Sequence, residues 1–430
     1  MRSAVSSASL GAFRICFGGI LFIAALRYFA KGWIPLQFVE PEFFFSYPGF
    51  SWVCPLPGPL VYLPHVVWAG AALCLALGVF ARWSSAVLFV AVTWAHLCDK
   101  TNYLNHYYLI SLISFLMIWM PTDAAFALHA RWNPKIAKTW IPAWPVNLLR
   151  FQAGCVYFFA GVAKLQSDWL VDAQPLRLWL THSSDIPWIG GVLGQPVVAW
   201  IFSWAGAAFD LSAPFLLLWP RTRLATFAVA VVFHVLTAVL FPIGLFPWIM
   251  ILVAFLFLSE DWPLRFLRRP LPEVEHIAPS PVVWSRLAIG AFVLVQLALP
   301  LRHWSYPGDV LWNERGFRFS WMVMLVEKKG YVTFRVVDAA GHEIEVKPGD
   351  FLTSYQVHMM STQPDMILDF ARHLKRRFEA SGSEEPRVFA DAWVALHAKP
   401  SARLIDPNVD LGASDGPTAG WITERPTRKR

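Results

Sequence analysis

A lysine at the end of an apolar, aromatic stretch is the first candidate for chemistry in this sequence. Residues 155–163 read Cys-Val-Tyr-Phe-Phe-Ala-Gly-Val-Ala, Lys164 follows them directly, and Asp168 and Trp169 come within five residues. Burying an ammonium group at bilayer depth is costly, so such a lysine pairs with an acid, extends to the interface or becomes neutral. Because a neutral amine is a usable general base, Lys164 is a candidate base. A lysine that merely reaches the headgroups is the structural alternative.

Two further polar clusters interrupt the apolar sequence. One is Asp99-Lys100-Thr101-Asn102-Tyr103-Leu104-Asn105-His106, and the other is His234, preceded by Asp210. Amide and imidazole groups beside an unprotonated amine would orient its lone pair and stabilise an oxyanion. The structural alternatives are a solvated ion pair at the start of the first cluster, an interfacial histidine bonded to a carbonyl, and a histidine that only packs in the interior.

The composition is that of a membrane protein. Of 430 residues, 56% are hydrophobic and 15% are charged, whereas about one quarter of the residues in a soluble domain are charged. The histidines lack the spacing of a metal site, and HExxH, CxxC, P-loop and GxSxG motifs are missing, so we expect no metal. Most of the net charge of +7 lies in short loops, which gives no reason to expect a nucleic-acid partner.

Apolar stretches that can cross about 30 Å of hydrocarbon predict nine transmembrane helices in a lipid bilayer. They lie roughly at residues 8–28, 59–81, 84–98, 106–121, 145–163, 192–219, 222–242, 246–259 and 282–301. Lysine and arginine are concentrated in the loops that face the cytoplasm if the N-terminus is inside. The predicted C-terminal part is therefore extracytoplasmic, and Lys164 shares the outer face with the cluster that begins at Asp99.

Beyond residue 301 the composition becomes that of a small soluble module. Tyr331–Val337 and Glu343–Val346 alternate around a short turn and predict a β-hairpin. Pro364–Phe378 has one apolar face and predicts an amphipathic helix, and Arg387–Leu396 is a further strand candidate. We therefore predict an all-α polytopic membrane domain (residues 1–301), a small extracytoplasmic α+β domain (residues 302–411) and a flexible tail (residues 412–430).

At these residues the sequence resembles the vitamin K-dependent γ-glutamyl carboxylases, in a bacterial-type form with the horizontally transferred transmembrane domain. The matching segments, in family order, include Asp99-Lys100-Thr101, Asn105-His106-Tyr107-Tyr108-Leu109, Tyr157–Leu165 with Asp168-Trp169, Phe209–Ala213, Phe233-His234, Phe319-Ser320-Trp321 and Asp391–Val394. The segment around Lys164 is the most specific of these. The resemblance implies a multi-pass membrane enzyme that couples oxygenation of reduced vitamin K by O₂, which yields the epoxide, with addition of CO₂ to the γ-carbon of glutamate in a peptide or protein.

The resemblance also implies roles for individual residues. Lys164 would be the base that deprotonates vitamin K hydroquinone (phylloquinol or menaquinol), and Asn105 and His106 would orient or stabilise the oxygenated quinone. Supporting or cofactor-binding roles would fall to Asp99, Tyr103, His234 and Trp321.

Two alternatives stay open: a quinol epoxidase that carboxylates no glutamate, and a non-enzymatic membrane scaffold. The compact chain favours the cytoplasmic membrane of a bacterium over an ER membrane.

Overall fold

The computed structural model describes residues 4–183, 185–270, 283–414, 416 and 420–426. Up to residue 301 the described chain is almost entirely helical. Its helices are α1 (Ser7–Ala30), α2 (Trp33–Phe38), α3 (Leu63–Leu77), α4 (Ala81–Leu97), α5 (Asn105–Met117), α6 (Leu128–Trp132), α7 (Trp144–Ala163), α8 (Ser167–Leu170), α9 (Leu176–His182), α10 (Gly190–Leu193), α11 (Pro196–Leu218), α12 (Arg223–Leu240), α13 (Phe246–Phe255), α14 (Trp262–Phe266) and α15 (Val283–Leu301). Two short strands, β1 (Ala4–Ser6) and β2 (Trp140–Pro142), pair antiparallel.

Six helical segments of the described chain are long and apolar enough to cross a membrane. They are α1, Gly58–Leu77, α7, α11, α12 and Ser285–Ser305. The other three predicted spans correspond to α4, α5 and α13, which have 17, 13 and 10 residues, fewer than the roughly 20 that a span usually needs. The predicted helical architecture of this part is therefore confirmed, with six candidate membrane spans in the described residues, whereas the count of nine spans stays a prediction.

The helix that ends at Lys164 lies unusually close to α11. An added Cβ on Gly161 would come 2.8 Å from the backbone nitrogen of Leu211, so no larger side chain fits without displacing backbone. Pro145 lies in the first turn of α7, where the missing N–H leaves no helical hydrogen bond unmade. The close contact brings the outer end of α7 against the middle of α11.

The C-terminal part is a four-stranded antiparallel sheet with helices on it. Its elements are α16 (Val310–Asn313), β3 (Lys328–Val337), β4 (Glu343–Val346), α17 (Ser354–Met360), α18 (Pro364–Ala380), β5 (Arg387–Leu396) and β6 (Ala402–Arg403), with strand order β4-β3-β5-β6. The predicted hairpin is confirmed as β3 and β4, and the predicted strand as β5. The amphipathic helix is confirmed as α18, whose Phe370 packs edge-on against Phe334 of β3 at 5.0 Å between ring centroids.

Charged side chains join the sheet domain to the membrane domain. Lys100 contacts Asp365 at 3.1 Å and also Asp369, both in the first half of α18. Arg318 lies 2.8 Å from the same Asp365 carboxylate. Burial alone raises the pKa of Asp365, but Arg318 and Lys100 outweigh it and hold this pKa well below its ordinary value. The structural alternative of a solvated pair of Asp99 and Lys100 is therefore wrong, because both residues are buried and contact the sheet domain.

Part of the predicted flexible tail is packed. Trp421 is buried, Ile422 bridges to Ile405, and Arg425 bonds both Asp168 and Asp309. The polar composition of residues 412–430 indicated disorder, but one buried indole and one paired guanidinium anchor residues 420–426. Residues 415, 417–419 and 427–430 of that predicted tail lie outside the described chain.

Candidate active site

Lys164 is buried in the membrane domain and paired with an acid. It caps the C-terminus of α7, and only 5% of its surface is exposed. Its Nζ lies 2.8 Å from Oδ2 of Asp210 on α11 and donates to the carbonyl oxygen of Ala160 at 3.2 Å. The ring of Trp169 lies 5.2 Å from the same nitrogen. Of the three outcomes that burial allows a lysine, the structure shows pairing, and the amine does not extend to the headgroups.

The Lys164–Asp210 pair lies in the wall of a mostly apolar cavity of about 250 Å³, the Lys164 cavity. Helices α7, α11 and α12 form most of this wall, and residues Val323 and Met324 of the sheet domain cover it. A second polar pair lies in the same wall, because the hydroxyl of Tyr157 is 2.8 Å from Nε2 of His234. The cavity therefore combines an apolar volume with an amine, a carboxylate, a phenol and an imidazole.

A second cavity of about 570 Å³, the Arg27 cavity, adjoins the first. Asn105 and His106 line it, and the two cavities share the wall residues Ile243, Phe246, Val323 and Met324. Gly244 has a positive φ of 63°, and an added Cβ there would lie 3.6 Å from the His106 ring. Within the described chain the ring nitrogens of His106 make no hydrogen bond.

The seven predicted site residues divide into three groups. Lys164 and His234 line the Lys164 cavity, and Asn105 and His106 line the Arg27 cavity. Asp99, Tyr103 and Trp321 line neither of these two cavities. The structure thus brings Lys164 and His234 together and places Asn105 and His106 in the adjoining space.

Two of the remaining three residues, Tyr103 and Trp321, help to hold the segment that contributes Val323 and Met324 to both cavities. The Tyr103 hydroxyl accepts a hydrogen bond from the Phe319 backbone nitrogen at 2.6 Å and donates to Asn105 at 3.0 Å. The Asn105 amide in turn donates to the Met322 carbonyl oxygen at 3.1 Å. Trp321 is fully buried and stacks on Tyr108 at 4.8 Å. These contacts hold the segment that ends in Val323 and Met324, which line both cavities.

Asp99 lies at the domain interface. Its carboxylate accepts hydrogen bonds at 2.8 Å from the backbone and hydroxyl of Thr101 and from Nε2 of Gln356. Burial raises the pKa of Asp99 to about 6, although these hydrogen bonds act in the opposite direction. With its oxygens engaged in this way, Asp99 joins the turn after α4 to the sheet domain.

Sequence patterns assign no role to two residues of the Lys164 cavity, Asp210 and Tyr157. A carboxylate in the middle of a membrane helix predicts a buried partner, which was the available signal for Asp210. Nothing in the local sequence indicates that Tyr157 bonds His234, because the two residues are 77 positions apart.

The sheet domain also reaches Asp168, four positions after Lys164. The Asp168 carboxylate binds Nδ1 of His397 at 3.1 Å, Nζ of Lys399 at 2.9 Å and the guanidinium of Arg425. Burial by itself raises the pKa of Asp168, but these three hydrogen bonds together hold it well below its ordinary value.

His397 joins Asp168 to the segment above the cavities. Its other ring nitrogen, Nε2, lies 3.1 Å from the Leu325 carbonyl oxygen. Leu325 follows Val323 and Met324, which line both cavities. Asp168 therefore takes part in the contacts that hold this covering segment in place.

Two protein-family models match this chain, one for each of its two parts. The HTTM domain model matches residues 3–262, and the model of the vitamin K-dependent gamma-carboxylase lumenal domain matches residues 283–425. The chain belongs to the vitamin K-dependent gamma-glutamyl carboxylase family. No solved structure matches the chain. For this carboxylase-family protein the two matches agree with a helical membrane domain followed by an extracytoplasmic C-terminal part, and the second match includes α15.

Membership of the carboxylase family implies a type of enzyme and its substrates. It implies an enzyme of the γ-glutamyl carboxylase type that uses reduced vitamin K, O₂ and CO₂, with a glutamate-containing protein as substrate.

Proposed function

We propose that this protein oxygenates a lipid quinol of the vitamin K type and couples that reaction to carboxylation of glutamate in an exported peptide or protein. The observation that carries the proposal is the buried pair of Lys164 and Asp210 in the wall of an apolar cavity. A buried amine next to an acid is a group that can exchange a proton while water is excluded.

The Lys164 cavity has the composition that a prenylated quinol requires. Aliphatic and aromatic side chains make up most of its wall, and the polar side chains include Lys164, Asp210, Tyr157 and His234. Val229 and Leu236 line the cavity and are also exposed on α12, one of the candidate membrane spans. A lipid can therefore enter from the bilayer, with its tail between apolar residues and a ring hydroxyl near the amine.

Lys164 acts as base in its neutral form. Inside a low-dielectric wall, desolvation of both charges offsets much of their attraction, so a neutral amine beside a protonated carboxyl is accessible. In that form Lys164 accepts the proton of a quinol hydroxyl, while Asp210 holds the amine in place. Tyr157 and His234 hydrogen-bond each other at the same wall and offer a phenol and an imidazole to the bound ring.

Bound quinol supplies, on reaction with O₂, the strong base that removes the weakly acidic γ-proton of glutamate. The protein contributes exclusion of water, because Val323 and Met324 line both cavities and the segment before them is held by Tyr103, Asn105 and Trp321. Those three residues thus act as positioning residues in this proposal, and Asp99 supports the same interface.

The test is a two-product assay on purified protein. Wild type, Lys164→Ala and Lys135→Ala receive reduced vitamin K, O₂, labelled CO₂ and a glutamate peptide, and both epoxide and fixed label are measured. Lys135 is an exposed lysine of a predicted inner loop and controls for loss of charge. We expect both products from wild type and Lys135→Ala, and neither from Lys164→Ala. Epoxide without fixed label in wild type would identify a quinol epoxidase instead, and no epoxide in wild type would refute the proposal.

A further inference from the structure

The Arg27 cavity has the charge of an anion site. Its wall contains one cationic side chain, Arg27, together with the polar side chains of Gln37, Asn102, Asn105 and His106. No aspartate or glutamate of the described chain lines it. A partly enclosed space with a guanidinium and no acid favours a negatively charged ligand.

The guanidinium of Arg27 has no acceptor in the described chain. Its central carbon lies over the Trp33 ring, 5.3 Å from the ring centroid, and it makes no hydrogen bond or ion pair there. Its N–H groups are therefore available for a carboxylate, which a guanidinium can bind in a bidentate manner. By contrast, the buried Arg14 donates to the carbonyl oxygens of Thr122, Leu75 and Phe126.

Two residues of this cavity carry polar atoms without a hydrogen-bond partner in the described chain. Gln37 lines the cavity, and its Oε1 is buried without a hydrogen-bond partner in the described chain. The ring nitrogens of His106 likewise have no partner there. Buried polar atoms are nearly always hydrogen-bonded in folded proteins, so groups left unsatisfied beside a cavity indicate a bound molecule or water.

The cavity also lies where a peptide from the outer side would meet the reaction. Tyr355 of the sheet domain lines it, is exposed, and donates to the Thr101 carbonyl oxygen at 3.0 Å, so the outer domain forms part of the entrance. Ile243, Phe246, Val323 and Met324 are common to both cavities. The two cavities therefore adjoin at these four residues, and a ligand in the Arg27 cavity lies next to the Lys164 cavity.

We propose that the Arg27 cavity binds the acidic side chain of the peptide substrate, with the carboxylate on Arg27. This assignment rests on the proposed function and adds the position of the glutamate to it. The γ-carbon is bonded to the carboxylate, so a guanidinium on the carboxylate fixes the reacting carbon next to it. When the γ-proton leaves, its electron pair spreads onto the carboxylate before the bond to CO₂ forms, and Arg27 stabilises that charge.

The first test measures binding without catalysis. A labelled pentapeptide with one central glutamate, and its twin with glutamine, are equilibrated with purified protein in neutral-lipid nanodiscs without quinol. Wild type is expected to prefer the glutamate peptide by about tenfold, which is a typical contribution of a charge-assisted hydrogen bond. Arg27→Gln is expected to lose this preference, and Arg27→Lys to keep part of it.

Arg82→Gln is the matched control. Arg82 also stacks on a tryptophan, Trp119, at 5.5 Å, but it is exposed and lines neither of the two cavities. The control variant is expected to bind both peptides as wild type does. A glutamate preference that survives in Arg27→Gln would overturn the assignment. Arg27→Gln could instead lose only its affinity for anionic phosphatidylglycerol, measured in discs that contain this lipid, while peptide binding stays unchanged. That result would assign Arg27 to lipid headgroups and would also overturn the proposal.

The second test separates this inference from the proposed function. In the two-product assay, Arg27→Gln is expected to raise the KM for the glutamate peptide about tenfold or more, to lower the kcat of carboxylation, and to leave the KM for quinol unchanged. If wild type forms no epoxide but its glutamate preference still depends on Arg27, the proposed reaction fails and the anion site stands. If the reaction proceeds with an unchanged peptide KM in Arg27→Gln, the site fails and the reaction stands.

Discussion

The amine of Lys164 and the carboxylate of Asp210 lie 2.8 Å apart although 46 positions separate the two residues in the chain. One residue ends α7 and the other lies within α11. Both are almost entirely buried, so each group is the main electrostatic partner of the other. The pair therefore links the chemistry of the site to the stability of the helix contact.

Replacing Lys164 by arginine is expected to abolish epoxide formation as completely as replacing it by alanine. Arginine keeps the positive charge and can still pair with Asp210, but guanidinium stays protonated and cannot act as base. Epoxide formation by wild type, Lys164→Arg and Lys135→Arg should be compared at equal protein concentrations. Turnover by the Lys164→Arg variant near the wild-type rate would rule out Lys164 as the base.

Asp210→Asn is expected to destabilise the membrane domain by about 3–5 kcal/mol, because it leaves the buried Lys164 ammonium without a counter-charge. Thermal unfolding in detergent measures this as a lower Tm. The double variant Lys164→Met with Asp210→Leu replaces both charges by apolar groups and is expected to recover most of the stability without recovering activity. Equal stability of wild type and Asp210→Asn would show that the pair is not energetically coupled.

Gly161→Ala is expected to lower stability by about 1–3 kcal/mol and to reduce epoxide formation, because the new methyl group must push α7 away from Leu211. Gly154→Ala is the matched control on the same helix, since its methyl group would meet Pro214 at an ordinary 3.6 Å. The control is expected to be neutral or slightly stabilising, because alanine favours helix more than glycine does. Comparable losses in the two variants would contradict the close contact.

Asp168→Asn is expected to cost about 3 kcal/mol at pH 7, because it breaks a buried cluster with His397, Lys399 and Arg425. The pKa of Asp168 is lower in the folded protein than its value of 3.8 in an unfolded chain. Its stabilising contribution is therefore complete above pH 3.8 and is lost as the pH falls towards the folded value.

The Tm difference between wild type and Asp168→Asn should accordingly be constant between about pH 7 and 5 and shrink below about pH 4. Asp391→Asn is the control, because Asp391 pairs with Arg403 on the exposed face of the sheet. Exposed pairs contribute roughly 0–1 kcal/mol, so this variant should be nearly neutral at every pH. A difference for Asp168→Asn that grows at acid pH would contradict the assignment.

Periodic patterns predicted the sheet domain well, because its amphipathicity is local. Apolar and polar residues alternate in β3 and β4, and apolar residues follow one face of α18. Each pattern arises because one side of the element packs against the core of the sheet domain. The same reasoning was weaker in the membrane domain. Apolar composition correctly located α4, α5 and α13, but these helices are short and pack against longer helices. Composition alone does not distinguish a short apolar helix of this kind from a full membrane span.

Site residues were predictable to the extent that a charged or amide side chain is unusual in an apolar context. That rule found Lys164, Asn105 and His106, all of which line one of the two cavities. It gave no way to see that Asp210 rather than Asp168 pairs with the amine, because Asp168 is closer in the chain. Partners separated by tens to hundreds of positions depend on helix packing, which single-sequence patterns do not encode.

The bond between Arg425 and Asp168 spans 257 positions of the chain. During synthesis, the helix bearing Lys164 therefore enters the bilayer well before its outer rim can close, since Arg425, Lys399 and His397 must first be made and reach the same side. An unfinished polypeptide would hold the Lys164 cavity without the residues that close it. The order of translation thus delays assembly of the cavity until the C-terminal sheet domain has folded.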